Sequence, residues 1–156
     1  MEKGHKRGPR RKLVLQIVSC ISRVPTPGGV TGLMSSTRAG TTESQAGSAS
    51  IGANDLLLKA NILPGTQFGV FFHGANQIET PFGDGMRCAG GDIRRFGVIQ
   101  TTSLGDASYA VNNGHPAHAD VLVAGASRNF QFWFRDPIGG PAGFNLTDGL
   151  KITFCN

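Results

Sequence analysis

The stretch Arg128-Asn129-Phe130-Gln131-Phe132-Trp133-Phe134-Arg135 decides the fold. Side chains of an extended chain alternate between two faces, so Phe130, Phe132 and Phe134 fall on one side and Gln131, Trp133 and Arg135 on the other. The segment reads as a half-buried strand with an aromatic core face. Its second face, Gln131, Trp133 and Arg135, is a candidate ligand surface.

Outward from this strand the chain repeats one pattern, short apolar runs between turn residues, as expected of an antiparallel β-sandwich of jelly-roll or immunoglobulin-like form. Residues 56–62 form a strand stopped by Leu63-Pro64-Gly65, where proline fixes φ and removes a donor. Residues 67–73 (QFGVFFH) follow as an aromatic strand. Residues 86–89 and 92–99 read as two strands about the Gly90-Gly91 turn, and residues 106–111 run into the turn signal Asn112-Asn113-Gly114. Residues 150–155 close the sheet, and a first strand is expected near residues 46–51. Helical periodicity goes no further than one turn around residues 146–149.

Composition agrees. The chain has 156 residues, one ordinary domain, with 23 glycines and only 16% charged residues, below the usual quarter. Abundant glycine with few charges suits many tight turns. No apolar run approaches the roughly 20 residues of a membrane-spanning helix.

The formal net charge of +5 is unevenly placed. Residues 1–29 carry Lys3, Lys6, Arg7, Arg10, Arg11, Lys12 and Arg23 against Glu2 alone, whereas the rest holds eight bases and nine acids. The basic character therefore belongs to a leader and not to the fold. A nucleic-acid-binding domain needs its bases on the folded surface, so no nucleic-acid partner is expected.

The leader runs from a cationic start into Leu13-Val14-Leu15-Gln16-Ile17-Val18 and then Ser19-Cys20. This is the layout of an export signal, here degenerate because the apolar run is short and holds Gln16. Ile17-Val18-Ser19-Cys20 also resembles a bacterial lipobox, with Cys20 then lipidated. The alternative is a disordered extension or a start site placed too far upstream. Residues 30–46, rich in Ser, Thr and Gly, form a flexible linker that buries too little apolar surface to offset its ordering entropy. The module proper spans 47–156.

Several blocks carry a family resemblance. GSASIGANDLLLKANILPGTQFGVFFHGANQ, PFGDGMRCAGG and RNFQFWFRDPIGGPAGFNLTDGLKITFC are similar, in order, to a C-terminal module of secreted planctomycete and myxobacterial proteins. The resemblance covers about residues 47–155, departs from the family pattern at Arg128-Asn129, and implies location and architecture but no activity. The expected setting is secreted or cell-surface.

In an exported chain Cys88 and Cys155, each at a strand end, are read as a disulfide. Closing that loop would remove roughly 4 kcal/mol of unfolded-chain entropy. The alternative is two buried free thiols. Cys20 is then the odd cysteine.

Chemistry-bearing constellations are few. Asp84 in Phe82-Gly83-Asp84-Gly85, and Asp148 before Gly149, have the composition of calcium loops but more simply make turns. Arg135-Asp136-Pro137 reads as an ion pair or a capped turn. His115 and His118 flank a proline in a loop, a poor metal site, and Asn145-Leu146-Thr147 matches a glycosylation acceptor. No serine lies in a nucleophile elbow, and no spacing suggests zinc or a cofactor. Asp84, Asp92, Asp136 and Asp148 are the only carboxylates considered for a glycosidase pair.

The chain is thus expected to be no enzyme but a structural, attachment or assembly module of secreted proteins. The alternatives are a carbohydrate-binding module and, behind it, a glycoside hydrolase. The expected partners are an extracellular glycan or another surface protein.

Overall fold

The computed structural model describes residues 48–156 and the backbone of Gln16–Val18. The described residues contain ten strands and no helix. In chain order they are β1 (Gln16–Val18), β2 (Leu57–Ala60), β3 (Phe68–Gly74), β4 (Asn76–Phe82), β5 (Gly85–Gly90), β6 (Arg94–Gln100), β7 (Ala107–Ala110), β8 (Ser127–Arg135), β9 (Phe144–Leu146) and β10 (Gly149–Thr153). All strand pairs are antiparallel, and no sheet closes into a barrel.

The principal sheet runs β1-β10-β8-β3-β6, with β9 also on β8. The phenylalanine strand, β8, is its spine. β10 pairs with its first half, through Ser127 to Phe130, and β9 with its second, through Trp133 to Arg135. Between them Thr147 bridges the gap: its N–H donates to Phe132 O at 3.0 Å, and its Oγ1 accepts from Phe132 N at 3.1 Å. Two ribbons complete the fold, β2-β7 and β4-β5.

Alternation along β8 sets the core. Phe130, Phe132 and Phe134 are buried with Phe71, Phe96, Phe154 and Ile152 of the principal sheet and its ends. Leu58 and Ala60 of β2 and Ala107 of β7 join the same cluster, so the β2-β7 ribbon covers this face. Each fully buried phenylalanine contributes about 1.5–3 kcal/mol by leaving water. Gly69 makes this packing fit: a Cβ there would collide with the Phe132 ring and with the Trp133 carbonyl.

The opposite face carries a smaller core of Phe72, Ala89 and Leu146, with Ile93 and Trp133 packed against it. Ala89 belongs to β5, so the β4-β5 hairpin covers this face, but only at one end. Along β8 burial fades from Gln131, which is buried, through half-buried Trp133 to exposed Arg135.

Several expectations change here. Residues 86–89 and 92–99 do not form a hairpin about Gly90-Gly91: β5 pairs with β4, and β6 pairs with β3. β4 itself goes unread because it is exposed along most of its length and contains Pro81, which an edge strand tolerates. Residues 46–51 give no strand among the described residues, only a bridge from Ser50 to Cys155. The turn of helix around residues 146–149 is instead the junction of β9 and β10. Gln16–Val18, read as the end of an export signal, add a strand to the free edge of β10. The rest of the leader and the linker at 30–46, including Cys20, lies outside the described residues.

The Cys88–Cys155 staple is not formed. Cys155 is free and exposed, held beside Ala49 and Ile51 by backbone bonds of 2.9 and 2.7 Å. Cys88 is buried in β5, on the hairpin covering the other face of the sheet. The Cys88 sulfur already belongs to a disulfide and is not available to Cys155.

Candidate functional site

The three residues read as one ligand face separate into two roles. Gln131 is only 2% exposed. Its Oε1 accepts from Cys88 N at 2.9 Å, and its Nε2 donates to Met86 O at 2.8 Å and Thr147 O at 2.6 Å. It is the pin that fastens the β4-β5 hairpin to the sheet. Trp133, half-buried, packs at the edge of the smaller core, and Arg135 beyond it is exposed.

This end of the face is aromatic. The Trp133 ring lies 5.6 Å from Phe144 of β9, and Phe144 lies 5.4 Å from Phe82 at the end of β4. The Arg87 guanidinium sits 5.6 Å over the Phe82 ring, within cation–π range. Arg135 is the register partner of Phe144. Val70 faces Trp133 across the sheet and Val98 faces Val70, extending the floor toward the β6 edge. Phe82 is 42% exposed and Val98 70%.

Three separate chain segments meet in this strip, and one device sets their approach. Gly83 has φ +63 and leaves the space into which the Phe144 ring packs. Next to it, Asp84 accepts from Ala142 N at 3.1 Å and Gly143 N at 3.1 Å, tying the β4-β5 turn to the loop before β9. Asp84 therefore serves as an anchor for that loop, its oxygens turned to backbone N–H donors. Among the described residues no group of three or more His, Cys, Asp or Glu side chains converges as a metal site would need. Asp148 stands half-buried at the β9-β10 junction, where its carbonyl accepts from Thr147 Oγ1 at 3.0 Å.

Arg135 and Asp136 do not pair: the Asp136 carboxylate lies against Gly139 within its own turn. The ion pairs of the described residues involve Arg94 and Arg128, on the other side of the hairpin. Arg87 and Arg135 are in none of them. The Arg87 Nε is, in addition, buried without a hydrogen-bond partner.

A second polar cluster was invisible in the sequence. Arg128 Nε donates to His73 Nδ1 at 3.1 Å, which leaves Nε2–H of His73 to donate to His118 Nδ1 at 3.0 Å. Arg128 Nη2 also donates to Asp92 Oδ2 at 2.9 Å, and Arg94 links Asp92 to Asp120. The seam joins β3, β6, β8 and the loop carrying His118. Burial, reinforced by the Arg128 charge, pushes the His73 imidazole down to about 3, and burial likewise lowers His118. His73 is fully buried, so it cannot touch a substrate, and the cluster is a structural seam. Asp92, held by Arg128 and Arg94, is likewise committed.

A shallow pocket lies elsewhere, lined by Lys59, Gln100, Thr102, Asp106 and Ser108 near the β2-β7 ribbon. It brings together one cation and one acid but none of the residues singled out in the sequence.

No protein-family model matches the chain, and comparisons with curated proteins and with solved structures found no match.

Proposed function

We propose that this chain is a non-catalytic extracellular β-sandwich module that attaches a secreted or surface protein to its surroundings. In this reading the principal sheet and the β2-β7 ribbon are the two layers of the sandwich, and the open half of the second face is the attachment surface. The observation that carries the reading is the aromatic strip Trp133–Phe144–Phe82, half-buried at Trp133 and Phe144 and exposed at Phe82. A sheet face evolved only for packing would bury its aromatic side chains beneath the hairpin; these keep part of their surface in water. The leader's cationic and apolar layout, and the resemblance to C-terminal modules of secreted proteins, support the location. The β1 strand counts against removal of the leader, since cleavage before Cys20 would take β1 away and leave the β10 edge bare.

The test is retention of the purified, fluorescently labelled chain on intact cells of its source. The wild-type chain is expected to stay bound through washing, and Trp133→Ala with Phe144→Ala to wash off, with unfolding midpoints confirming that both are folded. Equal retention of the two folded proteins would contradict an attachment role for this face.

A further inference from the structure

We infer that the open face binds an acidic polysaccharide, its sugar rings lying along Trp133, Phe144 and Phe82 and its carboxylate or sulfate groups held by Arg135 and Arg87. The inference rests on the attachment reading and names its partner. An aromatic strip alone would suit many apolar surfaces. Its arginines narrow the choice.

Arg135 is exposed beside Phe144, and Arg87 is poised over Phe82, so cations stand at both sides of the strip. Neither forms an ion pair among the described residues. Two acids of the adjoining turns are turned away: Asp84 onto Ala142 and Gly143, and Asp136 onto Gly139. Arg87 Nε is buried and lacks an acceptor. That nitrogen is out of a ligand's reach, but neither guanidinium has an acid partner among the described residues, so each is left to an acceptor from outside. An anionic oxygen meets that need, and a guanidinium binds such oxygens in a planar fork. The floor suits the rest of the ligand: sugar rings present C–H faces that lie on aromatic rings while their hydroxyls stay in water. The strip is shallow and open, which fits one chain of a long polymer better than an enclosed small molecule.

Isothermal titration with the intact chain tests this, using oligosaccharides of three kinds: uronate, sulfated and neutral. Binding of a uronate or a sulfated oligosaccharide is expected, weakening as salt rises from low to physiological ionic strength. Trp133→Ala should weaken it roughly tenfold or more, as for a central aromatic anchor. Arg135→Ala should weaken it several-fold and flatten the salt dependence, while Arg135→Lys restores the salt dependence without the full affinity. Arg135 is exposed, so these variants fold as wild type does. Neutral oligosaccharides bound as tightly as acidic ones would overturn the acidic specificity. No binding of any of the three would overturn the glycan partner. Either result leaves the attachment reading to the cell-retention experiment, whose outcome does not depend on the polymer's identity.

Discussion

Replacing Gln131 by alanine is expected to destabilise the fold by about 3–5 kcal/mol. The side chain makes bonds of 2.9, 2.8 and 2.6 Å to Cys88 N, Met86 O and Thr147 O. Each contributes about 1 kcal/mol net, and about 1–3 kcal/mol where its loss leaves a buried backbone group unpaired. No water can easily replace the amide, because the site lies between the hairpin and the sheet. Against a total stability of about 5–15 kcal/mol this is a large fraction. Urea unfolding measures it, and hydrogen exchange at the Cys88 and Ala89 amides reports whether the hairpin lifts. Arg135→Ala, four residues along on the same face, is the control and should stay within about 0.5 kcal/mol of wild type. A loss below about 1 kcal/mol for Gln131→Ala would mean that the hairpin is held by other contacts.

Acid is expected to weaken the domain well above the range in which carboxylates titrate. His73 is held neutral by burial and by the Arg128 charge, with Arg94 and His118 adding to the effect and Asp92 opposing it. His118 is lowered in the same direction by burial and by His115. The folded value for His73, about 3, lies below the unfolded value near 6.5. The contribution to stability is therefore complete above about pH 6.5 and is lost as pH falls toward 3, because the unfolded chain takes up a proton that the folded one refuses. For His73 alone the loss is about 2 kcal/mol between pH 8 and pH 5. Urea midpoints at the two values give the number. His73→Gln, which keeps an acceptor for Arg128 and a donor for His118, should shrink the difference between them. Equal stability at pH 8 and pH 5 would show that His73 charges freely in the folded state.

Both results bear on how much of the molecule its sequence discloses. The phenylalanine strand was legible because alternation over residues 128–135 is a local property, and its core face is where the pattern places it. β2, β3, β6, β7 and β10 follow from the same signal. β4 was not legible: most of its residues face solvent, so no periodicity marks it, and Pro81 argues against a strand unless the edge position is known. The Gly90-Gly91 turn joins the ends of β5 and β6, but the partner each strand takes is a tertiary choice, set by Gln131 and by the bulged register of β3 with β6.

The candidate ligand face was legible in part. Alternation puts Gln131, Trp133 and Arg135 on one side, yet cannot say where a hairpin ends. Gln131 lies under it and Arg135 beyond it, so one is structural and the other free to bind. Phe144 and Phe82 join Trp133 only through the β9 register and the Gly83 turn, and nothing local to those residues announces it. His73 and His118 are 45 positions apart, so their contact had no signal in spacing. The cysteine pairing failed for the same reason: proximity to strand ends carries no information about which thiols the fold brings together.

The chain has one tryptophan, Trp133, at the centre of the proposed surface, so its fluorescence reports on that surface alone. Titration with a uronate oligosaccharide at low salt is the most direct measurement. The account predicts a saturable change in Trp133 emission that salt reverses and that Arg135→Ala weakens. Emission that stays constant through saturating concentrations of acidic oligosaccharides, in a chain shown to be folded, would contradict it.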